Sequence, residues 1–363
     1  MKGDAQIVRV PLQQRGYDIE IGTNNLSETG RFIAARTRVS HAVVITDANV
    51  EQPHAIGVVA SLAHLGAAVD LLVVEPGEPS KSVEIADQLW NKLLELGADR
   101  KTVIVAVGGG VIGDLAGFIA ATYARGIALA QVPTTLLAQV DSSVGGKVGV
   151  NLAGAKNMVG AFWQPLGVLI DTSVLATLPP REYRSGLAEV VKYGVILDAD
   201  FFSYLEANAA ALVARDDAVL RTVIARCCQL KADVVAGDER EETGLRAVLN
   251  YGHTFAHALE ALTGYGHLLH GEAVAIGMLC ASRLAERLGR IDATLTRRQY
   301  ELLTALALPT ELPEVGAEEM LAAMSHDKKV EHGRLRFVLP TCLGHVELVG
   351  DVPSELVREV LHP

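Results

Sequence analysis

The first half of the chain alternates short apolar runs with segments whose apolar residues recur at helical spacing. Runs of this length and composition are typical of β-strands, and they cover residues 7–10, 17–21, 41–46, 69–74, 102–107 and 168–170. Helical spacing covers residues 27–35, 50–65 and 83–96. Apolar strands that alternate with helices predict an α/β fold, in which a parallel sheet is wrapped by helices.

The second half has a helical pattern almost throughout. Its predicted helices cover residues 181–197, 201–214, 218–236, 244–262, 272–288, 294–306 and 317–325. Residues 334–340 and 345–349 flank Gly344 and predict one hairpin. The pattern changes at Leu178-Pro179-Pro180, where the prolines interrupt regular structure. We therefore predict an α/β domain over residues 1–178 and an all-α domain over residues 179–363.

Composition narrows the class of protein. The chain has 363 residues, of which 50% are hydrophobic, so it is long enough for two globular domains. A formal net charge of −11 argues against general binding to nucleic acid or to anionic membranes. The four cysteines form no CxxC pair, and the first ten residues lack the pattern of a signal peptide. A reduced, cytoplasmic protein is expected.

A glycine-rich loop follows the predicted strand at residues 102–107. Residues 108–113 read GGGVIG, which satisfies the GxGxxG pattern, and a helical pattern follows. Glycines there let backbone N–H groups approach a pyrophosphate, although a tight turn is the alternative. A Rossmann unit places an acidic residue about 20 positions further on, but residues 127–131 contain none. Asp47 can serve instead, or it can cap the helix that follows it.

Several basic residues of this acidic chain stand at positions that suggest anion binding. Lys147 follows Gly145-Gly146, and Lys156 follows Gly154-Ala155, so both can reach an anion from flexible backbone. Further basic residues with the same interpretation are Lys192, Lys231, Arg246 and Lys328. Each can alternatively be a solvated surface residue, but together they favour an anionic substrate.

The segment 250–270 carries three histidines. His253 and His257 are four residues apart in an apolar helical pattern, and His270 follows a glycine-containing turn. Two or three imidazoles can therefore converge on a metal ion, whereas core packing is the alternative for each alone. A catalytic metal site usually adds a carboxylate, and Glu189 is the candidate. Its i, i+3 spacing to Lys192 equally allows a surface ion pair.

As a set, these segments resemble the 3-dehydroquinate synthase family. The matching stretches are GGGVIGDLAGFIAATYARG, QVPTTLLAQVDSSVGGKVGVN, GAKNMVGAFWQP, GLAEVVKYGVI, KADVV, GLRAVLNYGHTFAHALE, LHGEAVAIGM and HDKK. The resemblance implies a Rossmann-like NAD-binding domain, a divalent metal (zinc, with cobalt as an alternative) and a cytoplasmic homodimer. It implies conversion of 3-deoxy-D-arabino-heptulosonate 7-phosphate (DAHP) into 3-dehydroquinate and phosphate, through transient oxidation by NAD, phosphate elimination, re-reduction and intramolecular aldol closure.

The resemblance also implies roles for individual residues. The metal ligands are Glu189, His253 and His270. The substrate-binding set is Lys147, Asn157, Lys192, Lys231, Arg246, Asn250, His257 and Lys328. The catalytic set consists of four of these residues, His257, Lys147, Lys192 and Asn157, together with Arg125. The NAD set is Asp47, Asn49, Glu78, Lys81, Gly109, Gly110, Asp114, Thr134, Thr135, Asp141, Lys147, Lys156 and Thr177. Arg125 is expected to reach the phosphate site of the neighbouring subunit; a cation that complements the end of its own helix is the alternative.

Two departures from the family pattern are visible, and three rival functions remain. Ala256 replaces an expected glycine, and the segment 238–242 is one residue longer than usual, so it stays open whether Glu241 or Glu242 has the role in the family pattern.

The three rival functions are a sugar-phosphate cyclase that makes an inosose or a valiolone, a metal-dependent alcohol or glycerol dehydrogenase, and an NAD-binding sensor. Arg246 and Asn250 favour a substrate with a carboxylate, which the inosose and valiolone precursors lack.

Overall fold

A computed structural model of the chain describes residues 5–153, 155–264, 267–325 and 335–361. The chain folds into two compact units. The first comprises Met1–Pro179 together with Leu220–Arg240, and the second comprises Pro180–Val219 together with Glu241–Pro363. The stretch 220–240, which the sequence pattern assigns to the helical half, thus belongs with the first unit.

Eleven strands lie within the described residues. In chain order they are β1 Gln6–Val10, β2 Tyr17–Gly22, β3 His41–Asp47, β4 Ala68–Val74, β5 Val103–Gly108, β6 Ala128–Pro133, β7 Lys147–Leu152, β8 Ala155–Phe162, β9 Gly167–Asp171, β10 Phe337–Cys342 and β11 His345–Val349. The first unit is built on a seven-stranded sheet of order β1-β2-β9-β6-β5-β3-β4. Its pairings are parallel except β1 with β2, because the short connection between them permits only a hairpin. The α/β prediction is confirmed.

Helices supply both the covering layers and the second unit. In chain order they are α1 Thr29–Ala34, α2 Ile56–Ala63, α3 Val83–Glu95, α4 Gly110–Thr122, α5 Pro180–Leu197, α6 Ala199–Ala207, α7 Ala209–Val213, α8 Asp217–Gly237, α9 His253–Leu262, α10 His270–Arg287, α11 Ala293–Ala305, α12 Ala317–Ser325 and α13 Ser354–Leu361. Within the described residues, no helix is long and apolar enough to cross a membrane.

Alternating residues of the inner strand β3 contribute to two cores. Val43 and Ile45 pack with buried residues of α3, α4 and β7. Ala42 and Val44 pack with buried residues of α1 and α2. Because successive side chains of a strand point to opposite faces, the sheet carries a helical layer on each side. The carboxyl ends of its parallel strands remain at one edge, where doubly wound proteins bind ligands.

Helix α8 makes side-chain hydrogen bonds within the first unit. The Cys228 thiol donates to the carbonyl of Gln139 at 3.3 Å. The ammonium of Lys231 donates to the backbone carbonyl of Asp141 at 2.6 Å and to its Oδ1 at 2.8 Å. Both acceptors lie in the π-helical turn Ala138–Ser142, which follows β6. These contacts explain why α8 belongs with the sheet.

The predicted helix over residues 244–262 is interrupted in the second unit. A 3₁₀ turn, Leu245–Asn250, is followed by Tyr251 and Gly252, and α9 begins only at His253. Gly252 has φ 78°, and a Cβ on it would lie 2.8 Å from the backbone nitrogen of Met278. Only glycine satisfies both conditions, so the chain turns here. The single-helix prediction was wrong at this point, because apolar periodicity continues through the break.

Candidate active site

The glycine loop joins a buried strand to a helix as expected. Strand β5 ends at Gly108, and Gly109, in an extended conformation, precedes α4. A Cβ on Gly109 would lie 3.0 Å from Cγ2 of Thr135, and one on Gly110 would lie 3.1 Å from Oγ of Ser142. The backbone is therefore closely approached by side chains of the segment after β6. The helix start presents N–H groups that suit a phosphate group.

Asp114 and Lys81, both predicted to bind NAD, form an ion pair in which the lysine is buried and the aspartate is partly exposed. The Lys81 ammonium lies 2.5 Å from Oδ2 of Asp114, and its side chain is only 5% exposed. Burial raises the pKa of Asp114, and the charge of Lys81 opposes that effect. The pair joins the loop after β4 to the amino-terminal half of α4.

The segment after β6 holds three more residues of the predicted NAD set. Thr134 is buried, and its amide donates to the carbonyl of Gly108 at 3.0 Å. The hydroxyl of Thr135 accepts from the amide of Ala138 at 3.1 Å. Asp141 is held by Lys231, as described above. The structure thus brings Asp141 from the predicted NAD set and Lys231 from the predicted substrate set into direct contact.

Asp47, Asn49 and Thr177 have hydrogen-bond partners within the first unit. Asp47 ends β3, and its Oδ1 accepts from the amide of Asn49 at 2.9 Å. Burial raises the pKa of Asp47, while the amides of Asn49 and Val50 oppose the rise. The hydroxyl of Thr177 contacts Nε2 of His54 at 2.7 Å. Asp47 therefore shapes the turn after β3, and it lies at the carboxyl edge of the sheet.

The hairpin β7–β8 carries Lys147 and Lys156, the two lysines after glycine-containing backbone that were predicted to reach an anion. Lys147 begins β7 and is exposed, and Lys156 lies in β8 and is half-buried. Asn157 is exposed and has φ 55°, a left-handed conformation that asparagine tolerates. Its Oδ1 accepts a short hydrogen bond from Lys81. Lys328 lies outside the described residues.

Glu189, His253 and His270 converge in the second unit. Each offers one ligand atom, and these atoms lie within 4.8 Å of one another. Nε2 of His253 lies 3.6 Å from Oε1 of Glu189, and Nε2 of His270 lies 3.7 Å from the same oxygen. Two imidazoles with one carboxylate are a donor set typical of catalytic zinc, so the residues present fit a divalent metal.

The second ring nitrogens of both histidines face fixed partners. Nδ1 of His253 lies 3.1 Å from the carbonyl of Tyr251. Nδ1 of His270 lies 3.6 Å from Oε1 of Glu260, a buried residue that the sequence analysis did not single out. Such partners orient the opposite nitrogen toward a metal. Burial lowers the pKa of His270, but Glu189 and Glu260 raise it more, to about 9 in the metal-free chain.

Close helix packing places the carboxylate and the second histidine together. Glu189 lies in α5, and His270 is the first residue of α10. The Gly271 amide donates to the Ser185 hydroxyl at 3.0 Å. A Cβ at position 271 would lie 1.8 Å from the carbonyl oxygen of Ser185. The missing side chain at Gly271 therefore lets α10 reach α5 one helical turn from Glu189.

His257 and Lys192 flank this cluster without belonging to it. The rings of His253 and His257 meet edge to face, with centroids 5.6 Å apart. Lys192 is 2% exposed and forms a short ion pair with Glu189. Of the two histidines at i, i+4 spacing, His253 thus belongs to the cluster and His257 lies beside it. The surface alternative for the Glu189–Lys192 pair does not hold, because both side chains are buried.

Arg246 and Asn250 lie at the two ends of the 3₁₀ turn that precedes α9. Arg246 is buried, and its Nε lies 3.5 Å from Oε1 of Glu241. Asn250 is half-buried at the end of the turn. Glu241, one of the two acids left open by the sequence, therefore contacts Arg246.

Arg125 lies in a strained turn after α4. Ala124, Arg125 and Gly126 all have positive φ, at 49°, 68° and 111°. Two of these are not glycine, and such strain persists mainly where the surrounding structure or a function requires it. Arg125 is exposed.

Comparison with known proteins identifies the family. The family model described as 3-dehydroquinate synthase N-terminal matches residues 71–185, and the one described as 3-dehydroquinate synthase C-terminal matches residues 186–330. A curated relative from Rhodopirellula baltica, named 3-dehydroquinate synthase, is 53% identical over 357 aligned residues, and the alignment covers 96% of this chain and 95% of that relative. The chain belongs to the 3-dehydroquinate synthase family.

Solved structures of related cyclases share the fold of this 3-dehydroquinate synthase family member. A 2-deoxy-scyllo-inosose synthase, complexed with carbaglucose-6-phosphate, NAD+ and Co2+, superposes with a TM-score of 0.90 at 30% identity and covers 98% of this chain and 99% of its own. A 2-epi-5-epi-valiolone synthase from Streptomyces hygroscopicus, with NAD+ and Zn2+ bound, gives a TM-score of 0.88 at 29% identity, with 97% of each chain covered.

Proposed function

We propose that this protein is a 3-dehydroquinate synthase, which converts DAHP into 3-dehydroquinate and phosphate in the shikimate pathway. The observation that carries the proposal is the 53% identity to a 3-dehydroquinate synthase over nearly the whole of both chains. The cluster of Glu189, His253 and His270 supports it, because this donor set suits the divalent metal that the family chemistry uses.

The metal we propose is zinc, with cobalt as an alternative, held by Glu189, His253 and His270. NAD is held by the set at the carboxyl edge of the sheet, which includes the glycine loop, Asp114 and Lys81. When bound, the metal supplies a Lewis acid for a substrate hydroxyl, and NAD accepts a hydride and later returns it. Net redox change is zero, so no stoichiometric NADH accumulates.

The charged residues divide between the two anionic groups of the substrate. Arg246 is buried and offers the planar fork that pairs with a carboxylate, and Asn250 lies at the other end of the same turn. Asn157, His257 and Arg125 are assigned to the phosphate, with Lys147, Lys192, Lys231 and Lys328 as further cations. Holding the phosphate while it leaves stabilises the charge that develops on it.

The assembly we propose is a cytoplasmic homodimer in which Arg125 reaches the phosphate site of the partner subunit. The strained turn and the exposure of Arg125 support this assignment, because such backbone strain persists mainly where a function or the surrounding structure requires it. A helix-end cation would need no such turn.

Phosphate release from DAHP by the purified protein tests the function. We expect release without added stoichiometric NAD, loss of release with a chelator, and recovery on addition of zinc or cobalt. Glucose 6-phosphate, which has no carboxylate for Arg246, is the comparison substrate and should not turn over. Turnover of glucose 6-phosphate in place of DAHP would assign the chain to the inosose type of cyclase. Accumulating NADH with a simple alcohol would assign it to the dehydrogenases.

A further inference from the structure

Strand β7 is irregular at Asn151. Within the β7–β8 hairpin, Val150 pairs with Val159 and Leu152 pairs with Ala155, so the register shifts across Asn151. A residue at such an irregularity is left unpaired with the partner strand. The amide of Asn151 instead donates to the carbonyl of Lys81 at 2.8 Å, and Asn151 forms an isolated parallel bridge with Ser82. The hairpin is thus attached to the loop after β4.

The side chain of Asn151 uses both ends of its amide. Oδ1 accepts from the backbone amide of Asn157 at 2.8 Å, and Nδ2 donates to Oε1 of Glu78 at 2.7 Å. A backbone N–H can only donate and a carboxylate can only accept, so this orientation of the amide is the one that satisfies both partners. No other uncharged side chain of this size offers an acceptor and a donor on one rigid group.

These contacts close a ring of three residues. The backbone N–H of Asn151 donates to the Lys81 carbonyl, and the Lys81 ammonium donates to Oδ1 of Asn157. The backbone N–H of Asn157 then donates to Oδ1 of Asn151. Two carboxylates accept hydrogen bonds from the ring. Glu78 accepts from the side-chain Nδ2 of Asn151, and Asp114 accepts from the Lys81 ammonium. Each hydrogen bond orients a group that makes the next, so loss of one member disturbs both sides.

We infer that Asn151 is a positioning residue that sets the cofactor loop and the substrate hairpin relative to each other. This rests on the proposed function, in which Glu78, Lys81 and Asp114 serve NAD and Asn157 serves the substrate. Asn151 holds the first group through Glu78 and the Lys81 carbonyl. It holds the second through the Asn157 amide, which also supports the left-handed conformation of that residue. Asn151 itself belongs to neither set.

Two substitutions separate the two halves of this role. Asn151→Ala removes both side-chain hydrogen bonds, so we expect the NAD Kd and the KM for DAHP each to rise about tenfold. Asn151→Asp keeps an acceptor for the Asn157 amide but sets a second carboxylate against Glu78. It should raise the NAD Kd by about tenfold or more, while the KM for DAHP stays within about threefold of wild type.

A compensating change tests the contact itself. In Asn151→Asp with Glu78→Gln, the glutamine amide can donate to the new carboxylate, so the double variant should bind NAD more tightly than Asn151→Asp alone. Glu78→Gln is measured alone to complete the cycle. Leu152→Ala, an exposed neighbour on the same strand, is the matched control and should stay within about twofold of wild type in both constants.

Titration calorimetry with NAD and steady-state phosphate release from DAHP provide the two readouts, and thermal unfolding reports folding. Asn151→Ala with a lowered melting temperature but wild-type NAD Kd and KM would show a purely structural residue and overturn the inference. Equal loss of both constants in Asn151→Asp, or no rescue by Glu78→Gln, would also overturn it. If wild-type protein binds NAD but releases no phosphate from DAHP, the proposed function fails, while the NAD titrations still decide the role of Asn151.

Discussion

Gly271 lies directly against the backbone carbonyl of Ser185. The Gly271 amide donates to the Ser185 hydroxyl at 3.0 Å, and there is no room for a Cβ at this position. His270 precedes Gly271, and Glu189 follows Ser185 by one helical turn. This contact therefore sets the separation between two members of the Glu189–His253–His270 cluster.

Gly271→Ala should separate the cluster. The added Cβ would collide with backbone, which cannot give way like the end of a flexible side chain, so the start of α10 must shift. We expect at least a tenfold loss of zinc affinity and about 1–3 kcal/mol of destabilisation, measured by metal titration and urea unfolding. Gly57→Ala in α2 is the control, since nothing lies within 4 Å of its Cβ, and it should leave zinc affinity unchanged. Wild-type zinc affinity in Gly271→Ala would contradict this account.

His257 and His270 should respond differently to substitution. His270→Ala removes a member of the cluster, so metal content and phosphate release should fall together. His257→Asn should keep near-stoichiometric metal and lose turnover, because His257 lies beside the cluster and not in it. Metal analysis of the dialysed proteins decides the assignment. Loss of metal from His257→Asn, or a fully metallated and active His270→Ala protein, would reverse it.

Mixing two inactive variants tests the proposed role of Arg125. Arg125→Ala and His257→Ala homodimers should each be nearly inactive. In a mixed dimer, one site combines wild-type Arg125 of one subunit with wild-type His257 of the other. Co-refolding at equal amounts should restore about a quarter of the wild-type activity, since half of the dimers are mixed and one of their two sites is complete. Verified mixed dimers without activity would place the action of Arg125 within its own chain.

His54 should make stability depend on pH. Burial lowers the pKa of His54 below its ordinary value of 6.5, against the opposing charge of Asp171. The unfolded chain then binds the proton more readily, so the contribution of neutral His54 is complete above the unfolded pKa and is lost as the pH falls below it. Wild type should lose more unfolding free energy than His54→Gln between about pH 7.5 and about pH 5.5. Equal losses would show that His54 is accommodated in its charged form.

Six of the seven strands of the sheet were predicted from short apolar runs, whereas β6 was missed because its alanines and Gln131 interrupt the β-branched pattern that marks a strand. β3 and β5 are almost wholly buried, and burial on both faces leaves a continuous apolar run in the sequence. The hairpin β7–β8 escaped prediction for the opposite reason. Its residues Leu152 and Met158 are exposed, and glycines interrupt the alternation that marks a strand, so no period was visible.

Residue type and helical spacing predicted only part of the site. Spacing placed His253 and His257 on one face, but the partners of His253 come from α5 and from the start of α10. Their convergence depends on the close approach at Gly271, a tertiary contact that no local pattern encodes. Glu260 and Asn151 went unnoticed because their partners lie at positions that the sequence does not relate to them. The family resemblance, by contrast, named the cluster through its motifs.

The return of α8 to the first unit has a consequence for how the chain is made. The polypeptide leaves the first unit after Pro179, comes back for Leu220–Arg240 and then leaves again. During synthesis, the sheet can form early, but Asp141 meets Lys231 only after about 90 further residues have been added. The amino-terminal unit therefore cannot complete its contacts before residue 240 has been synthesised, and a fragment that ends at Pro179 would lack the contacts of α8.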